Sequence, residues 1–262
     1  MVLLHLVDAF ADRPFTGNPA AVCLLDGPRS DEWMQQLAFE LGYSETAYVL
    51  RERDALSLRW FAPKKEVSLC GHATLASAHV LWNVGRAQGV IDFQTKSGVL
   101  RCERNGRSIS LDMPRLTLED VAPPIGLFSA LGGLRPVALK KTSNDDILVE
   151  VADESEVQRA APDFASLAQV RARGVAITAR SKNPEYDFVT RFFAPSVGVD
   201  EDPVTGSVHC ALAPYWAEKL GKTKLIARQL SQRGGLLELE VLDVRVRIGG
   251  RATTVFTGAV TV

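Results

Sequence analysis

One side chain that could carry out proton transfer in this 262-residue sequence is Glu45, which lies in the segment Tyr43-Ser44-Glu45-Thr46-Ala47-Tyr48-Val49. A carboxyl group with apolar neighbours tends to have a raised pKa, which suits a general acid or base. The same segment also fits a solvated loop that leads into a strand. The residues alone therefore leave both interpretations of Glu45 open.

A second set of reactive side chains occurs in Cys70-Gly71-His72, where a helix is expected to begin. A helix N-terminus disfavours the imidazolium form, so His72 would be a neutral donor or acceptor there, although a structural role is the alternative. The thiol of Cys70 is either activated by the helix start or a buried, inert group. Free N–H groups near Gly71 would attract an anion such as a carboxylate.

The third set lies in Asp202-Pro203-Val204-Thr205-Gly206-Ser207, again before an expected helix. Pro203 fixes the backbone beside Asp202, while Gly206 and Ser207 offer hydrogen-bond donors. The preceding acids, Asp200 and Glu201, are explained by the helix dipole alone.

Asn18 lies in Gly17-Asn18-Pro19, which is a turn signal. The alternative is that its side-chain amide points into a binding cleft.

The second and third sets belong to an internal repeat. Phe192-Phe193-Ala194-Pro195 repeats Trp60-Phe61-Ala62-Pro63, the stretch 205–213 repeats 70–78, and 234–237 repeats 97–100. Three matches in order predict two similar lobes rather than a solenoid, whose period is about 20–50 residues. We place the lobes at residues 1–117 and 118–262, and leave open that the last strand crosses back to the first lobe.

The expected elements give each lobe a buried helix. Residues 71–84 are apolar around most of the helix circumference, which predicts burial. Pro214 predicts a kink or a restart in the second such helix. Ser30 or Asp31 should cap an earlier helix that ends at Gly42. Asn105-Gly106 predicts a hairpin.

Composition excludes several classes of protein. The formal net charge is -1, with 46% hydrophobic and 23% charged residues, so neither a nucleic-acid surface nor a membrane segment is expected. The N-terminus lacks a basic region and an uninterrupted apolar run, which predicts a cytoplasmic protein. Four cysteines without CxxC spacing predict neither a disulfide framework nor a metal site. The absence of P-loop and Rossmann glycine patterns predicts no nucleotide or flavin cofactor.

Four motifs together resemble the phenazine-biosynthesis PhzF family, of the diaminopimelate-epimerase-like fold. They are Gly17-Asn18-Pro19-Ala20-Ala21-Val22, Ser44-Glu45-Thr46-Ala47-Tyr48-Val49, Cys70-Gly71-His72-Ala73-Thr74 and Asp202-Pro203-Val204-Thr205-Gly206-Ser207. The resemblance implies an α/β fold with two similar lobes, each a curved, mostly antiparallel sheet wrapped around a central helix and related by pseudo-twofold symmetry. It also implies cofactor-independent proton transfer, with Glu45 as the acid/base residue and His72, Asp202 and Ser207 as its partners. A homodimer is compatible with the family.

The sequence departs from the epimerase relatives at one position. Those proteins use two cysteines, one on each face of the reacting carbon. Cys70 occupies the first position, but the second lobe has Asp202-Pro203 near the matching loop, and Cys210 falls about a turn inside the helix. The departure disfavours a two-thiol racemase.

The leading hypothesis is an isomerase that moves a proton on a small amino- or hydroxy-carboxylic acid. Glu45, His72 and Asp202 would be catalytic, and Asn18, Gly71, Gly206 and Ser207 would bind the substrate in a cleft between the lobes. An epimerase that depends on Cys70 is the second hypothesis. A non-catalytic protein that binds small carboxylates is the third.

Overall fold

The computed structural model describes residues 2–53 and 55–261. The chain divides into two compact units, one formed by Met1–Met113 with Arg247–Val262 and the other by Pro114–Val246. Within the described residues, no helix has both the length and the apolar character needed to cross a membrane.

In the described part of the chain, the first unit contains two helices and nine strands, eight of which precede residue 115, besides a strand that it shares with the second unit. The strands are β1 Val2–Ala9, β2 Asn18–Leu25, β3 Thr46–Glu52, β4 Ala55–Ala62, β5 Lys65–Val67, β6 Ile91–Thr95, β7 Gly98–Asn105 and β8 Ser108–Pro114. The helices are α1 Asp31–Leu41 and α2 Gly71–Asn83.

The second unit alternates short helices with strands. Its elements are β9 Leu118–Asp120, α3 Leu127–Ala130, β10 Ala138–Thr142, β11 Asp146–Glu150, α4 Glu154–Arg159, α5 Phe164–Leu167, β12 Gly174–Arg180, β13 Phe188–Ala194, a 3-10 turn Pro195–Val197, β14 Val199–Asp202, α6 Gly206–Leu220, β15 Lys224–Gln229 and β16 Gly235–Val241. Strand β17, Arg245–Gly250, spans the unit boundary, and β18, Ala252–Val260, belongs to the first unit.

The two units repeat one strand topology. In the first unit the order is β18-β1-β2-β3-β4-β6-β7-β8, with parallel pairing at β2–β3 and β4–β6 and antiparallel pairing elsewhere along this order. In the second it is β9-β10-β11-β12-β13-β15-β16, with parallel pairing at β11–β12 and β13–β15. The predicted α/β class with mostly antiparallel strands is confirmed, and the shared topology agrees with the sequence repeat.

Each unit carries a long buried helix against its sheet. Helix α2 packs on β1, β2 and β3, and ten of its thirteen residues are buried. Helix α6 packs on β15 and β16 and is also mostly buried. It continues through Pro214 as one helix, so the helix does not restart there, and the alternative of a kink stays a prediction.

The local signals for α1 and for the hairpin are confirmed. Ser30 caps α1 by accepting a hydrogen bond from the backbone N–H of Trp33, and Gly42 ends the helix in the left-handed conformation. Strands β7 and β8 form the hairpin that turns at Gly106, which has a φ of 60°.

Candidate active site

Glu45 and His72 come together where two elements of the first unit begin. Glu45 immediately precedes β3, and His72 is the second residue of α2. Because α2 packs on β3, its start brings the imidazole Nε2 within 3.4 Å of a Glu45 carboxylate oxygen. The hydroxyl of Ser44 lies at the same distance, 3.4 Å, from that nitrogen. The contact joins residues 27 positions apart in the sequence.

The environment of Glu45 favours its neutral form. Its side chain is 20% exposed, and burial raises the pKa of the carboxyl group above its usual value. Hydrogen bonds from Ser44 and Cys70 oppose this effect, because they stabilise the charged form. The solvated-loop interpretation of Glu45 does not describe this environment.

Cys70 contacts the other nitrogen of the same imidazole. Its Sγ lies 3.6 Å from His72 Nδ1 and also hydrogen-bonds to Glu45. Cys70 occupies the N-cap position of α2, yet its side chain does not cap the helix. The sulfur is therefore directed to its polar neighbours rather than to the helix backbone.

Glu45, Cys70 and His72 also meet the distance criterion for metal ligands, since their ligand atoms lie within 4.8 Å of one another. A tetrahedral zinc site would need one imidazole nitrogen directed at the same ion as the other ligands. In His72 the two nitrogens face different partners, Cys70 at Nδ1 and Glu45 at Nε2. This geometry suits a hydrogen-bonded chain of acid/base groups.

Two further predicted binding residues lie in the first unit. Asn18 is fully buried and begins β2, while Gly71 is the first residue of α2. Strands β2 and β3 are parallel, with Ala21 opposite Thr46, so Asn18 and Glu45 both lie toward the starting edge of this strand pair.

Asp202 lies at the end of β14, where Thr205 and Gln229 hold the loop that follows. The Thr205 hydroxyl donates to Asp202 Oδ2 at 2.5 Å. The amide of Gln229 donates to the Asp202 carbonyl at 2.8 Å and to Thr205 Oγ1 at 3.2 Å, and accepts from the Thr205 backbone N–H at 2.9 Å. Gln229 therefore links both ends of the segment that carries Asp202.

Ser207 occupies the second position of α6, as His72 does in α2. Its hydroxyl accepts a hydrogen bond from Arg173 Nη2 at 3.3 Å, and Arg173 also forms an ion pair with the fully buried Asp146. Burial raises the pKa of Asp146 to about 6, although the charge of Arg173 acts in the opposite direction. The predicted donor Gly206 begins the same helix.

The strand register shows what the second unit carries where the first has Glu45. Thr46 pairs with Phe61 in β3–β4, and Val175 pairs with Phe193 in β12–β13. Since Phe61 and Phe193 correspond in the repeat, Gly174 corresponds to Glu45. A Cβ atom on Gly174 would lie 2.2 Å from Cζ of Phe192, so this position does not accommodate a larger residue without displacing that ring.

Sequence reasoning missed several polar residues that shape these sites. They are Ser44 as a contact of His72, Thr205, Gln229, Arg173 and Asp146. A signal for Gln229 was present, because an amide within the strand Leu225-Ile226-Ala227-Arg228-Gln229 needs a buried partner. If the repeat is extended by strand register, Arg173 occupies the position in the second unit that Ser44 has in the first.

The remaining histidines on the buried helices have partners of their own. His209 is fully buried, its Nδ1 donates to the Thr205 carbonyl at 2.7 Å, and burial lowers its pKa to about 4. His79 contacts Thr254 and Asn83, and burial lowers its pKa to about 4 as well. These contacts hold both imidazoles in place within the fold.

Comparison with known proteins places this geometry in context. The family model for phenazine biosynthesis-like proteins, PhzC-PhzF, matches residues 7–258. An uncharacterized isomerase of Pseudomonas aeruginosa is 51% identical over 96% of each chain. An uncharacterized isomerase of Halalkalibacterium halodurans is 46% identical, also over 96% of each chain.

Solved structures indicate the same family. A phenazine biosynthesis PhzC/PhzF protein from Clostridium difficile superposes with a TM-score of 0.92 at 41% identity, and the match covers 100% of both chains. The fold alone extends to a proline racemase from Agrobacterium radiobacter, with a TM-score of 0.70 at 14% identity over 100% of this chain and 93% of that one.

Proposed function

Because this chain belongs to the PhzC-PhzF family of phenazine biosynthesis-like proteins, we propose that it moves a proton between carbon atoms of a small amino- or hydroxy-carboxylic acid, with Glu45 as the acid/base group. The protein is an isomerase, the class in which its curated relatives are named. What we propose beyond this class is the transfer of a proton between carbon atoms, the kind of acid that reacts and the role of Glu45.

One observation carries it: the shielded carboxyl group of Glu45 lies 3.4 Å from His72 Nε2. Burial raises the pKa of this carboxyl group, so its ionised form is a stronger base than an ordinary glutamate and its neutral form persists to higher pH. One group can then remove a proton from one carbon and return it to another. Atoms and electrons balance without any further reactant.

The neighbours of Glu45 have roles that follow from their positions. His72 receives or donates a proton at Nε2 and holds the carboxyl group in place. The start of α2, at Gly71, would attract the substrate carboxylate, because N-terminal N–H groups and the helix dipole both favour anions. We extend the proposal to Asn18, Gly206 and Ser207 as binding residues and to Asp202 as a catalytic one, as the family resemblance implies.

The test is exchange of carbon-bound hydrogen with solvent deuterium. A panel of small amino- and hydroxy-carboxylic acids is incubated with the enzyme in heavy water and followed by proton NMR. We expect signal loss for at least one acid with the native enzyme and none above background with Glu45→Gln, which keeps the size of the side chain but removes its titrating group.

Glu40→Gln is the matched control, because Glu40 is exposed on α1 in the same unit. It should exchange at the native rate. Normal exchange in Glu45→Gln would remove this residue from the mechanism. Binding of an acid without any exchange would instead favour a non-catalytic carboxylate-binding protein.

A second candidate is an epimerase that uses the thiol of Cys70. The contacts of Cys70 Sγ with His72 Nδ1 and with Glu45 favour it, because they give the sulfur two proton-exchanging neighbours. Substitution of Cys70 distinguishes the two candidates.

A further inference from the structure

Two adjoining cavities open at the other edge of the first unit. The larger has a volume of about 480 Å³ and the smaller about 290 Å³. Both are lined by Arg51, Leu56 and Arg86. The remaining lining of the smaller cavity is apolar and consists of Leu24, Leu25, Val49 and Leu81. Together they fall within the size range of small-molecule sites, roughly 300–1,000 Å³.

The cavities are separate from the Glu45 cluster. Strands β2 and β3 start at the edge that carries Asn18 and Glu45, and the cavity residues Leu25 and Arg51 lie at or near their other ends. Helix α2 likewise starts beside His72, while Arg86 follows its end. A helix of this length spans about 20 Å, so the two places lie at opposite ends of one buried helix.

Both arginines are exposed where they line the cavities. Arg51 Nη2 donates to the backbone carbonyl of Arg86 at 2.5 Å, a contact that leaves the guanidinium charge unbalanced. Among the described side chains, no carboxylate pairs with Arg51 or Arg86. Asp92 lines the larger cavity, but both of its oxygens bind Arg101, each at 2.8 Å.

An apolar chamber with two guanidinium groups at its mouth is complementary to an amphipathic anion. Planar guanidinium groups match carboxylates geometrically, and a desolvated apolar wall favours a hydrocarbon chain. We propose that these cavities form a second binding site for a small carboxylate with an apolar tail. Arg51 and Arg86 would bind the carboxylate, and the smaller cavity would hold the tail.

The proposal is tested by calorimetric titration of the full-length protein with octanoate. Acetate carries the same charge without the tail, and octanol carries the tail without the charge. We expect octanoate to bind and both comparison compounds to bind at least tenfold more weakly. Arg86→Gln should weaken octanoate binding at least tenfold, which corresponds to 1.4 kcal/mol.

The controls separate this site from general surface effects and from catalysis. Arg86 makes none of the described side-chain hydrogen bonds or ion pairs, so Arg86→Gln should fold normally, as circular dichroism would show. Arg107→Gln changes an exposed arginine in the β7–β8 turn and should bind octanoate like the native protein. Glu45→Gln should bind it equally, because the two places are apart. Absence of octanoate binding, equal binding of octanol, or undiminished binding in Arg86→Gln would each overturn the proposal.

Discussion

Gln229 offers the sharpest test of how the Asp202 loop is held. Replacement by leucine keeps the approximate volume but removes all three hydrogen bonds of the amide. The N–H of the buried Thr205 then loses its described partner. A buried donor left without a partner costs about 1–3 kcal/mol, so we expect Gln229→Leu to lower the free energy of unfolding by about 2 kcal/mol.

Two measurements check this value. A loss of about 2 kcal/mol should lower the midpoint of thermal unfolding by roughly 6 °C in a chain of this size. Because the chain has two compact units, a global transition alone could conceal a local effect. Hydrogen exchange followed by mass spectrometry should therefore show faster exchange in peptides that contain residues 202–206.

Gln158→Leu is the matched control. Gln158 is exposed on α4, its side-chain amide donates to Glu154 Oε1, and its backbone carbonyl accepts from Arg191, a bond that the substitution leaves in place. Its replacement should change stability by less than about 0.5 kcal/mol. If Gln229→Leu were as stable as this control and exchanged like the native protein, the amide would not be what holds the loop.

Two other substitutions probe the two units separately. Burial raises the pKa of Asp146 from 3.8 to about 6, so the stability that its neutral carboxyl group contributes should be complete below about pH 4 and be lost as the pH rises through 6. Over that interval the native protein should lose about 3 kcal/mol of unfolding free energy relative to Asp146→Asn, as measured by urea titration at each pH. A difference that stays constant with pH would contradict the assignment. Cys70→Ser should retain most of the deuterium exchange if Glu45 alone moves the proton, whereas near-complete loss would favour the thiol-dependent epimerase.

The sequence predicted the elements whose causes are local. The apolar circumference of α2, the Ser30 and Gly42 ends of α1 and the Asn105-Gly106 turn each depend on neighbouring residues, and each is found in the structure. Helix α4 was missed although Asp153 and Glu156 form a capping box, the signal that marks a helix start. Attention to that spacing would have found it.

The candidate sites depend on contacts that local patterns do not encode. Cys70 and His72 are neighbours in the chain, so their proximity could be predicted. The approach of Glu45 to His72 depends on how α2 packs against β3, and only the family resemblance suggested it. Arg173 and Asp146 are 27 positions apart, and no periodicity marks them as an ion pair.

The closeness of Gly174 to the ring of Phe192 limits how alike the two units can be. By strand register, Gly174 occupies the position in the second unit that Glu45 has in the first. The ring of Phe192 fills the space beside Gly174, so a substitution that places an acid there must displace the phenyl group. The two units therefore differ in which side chains this position can accept, and packing against Phe192 maintains the difference.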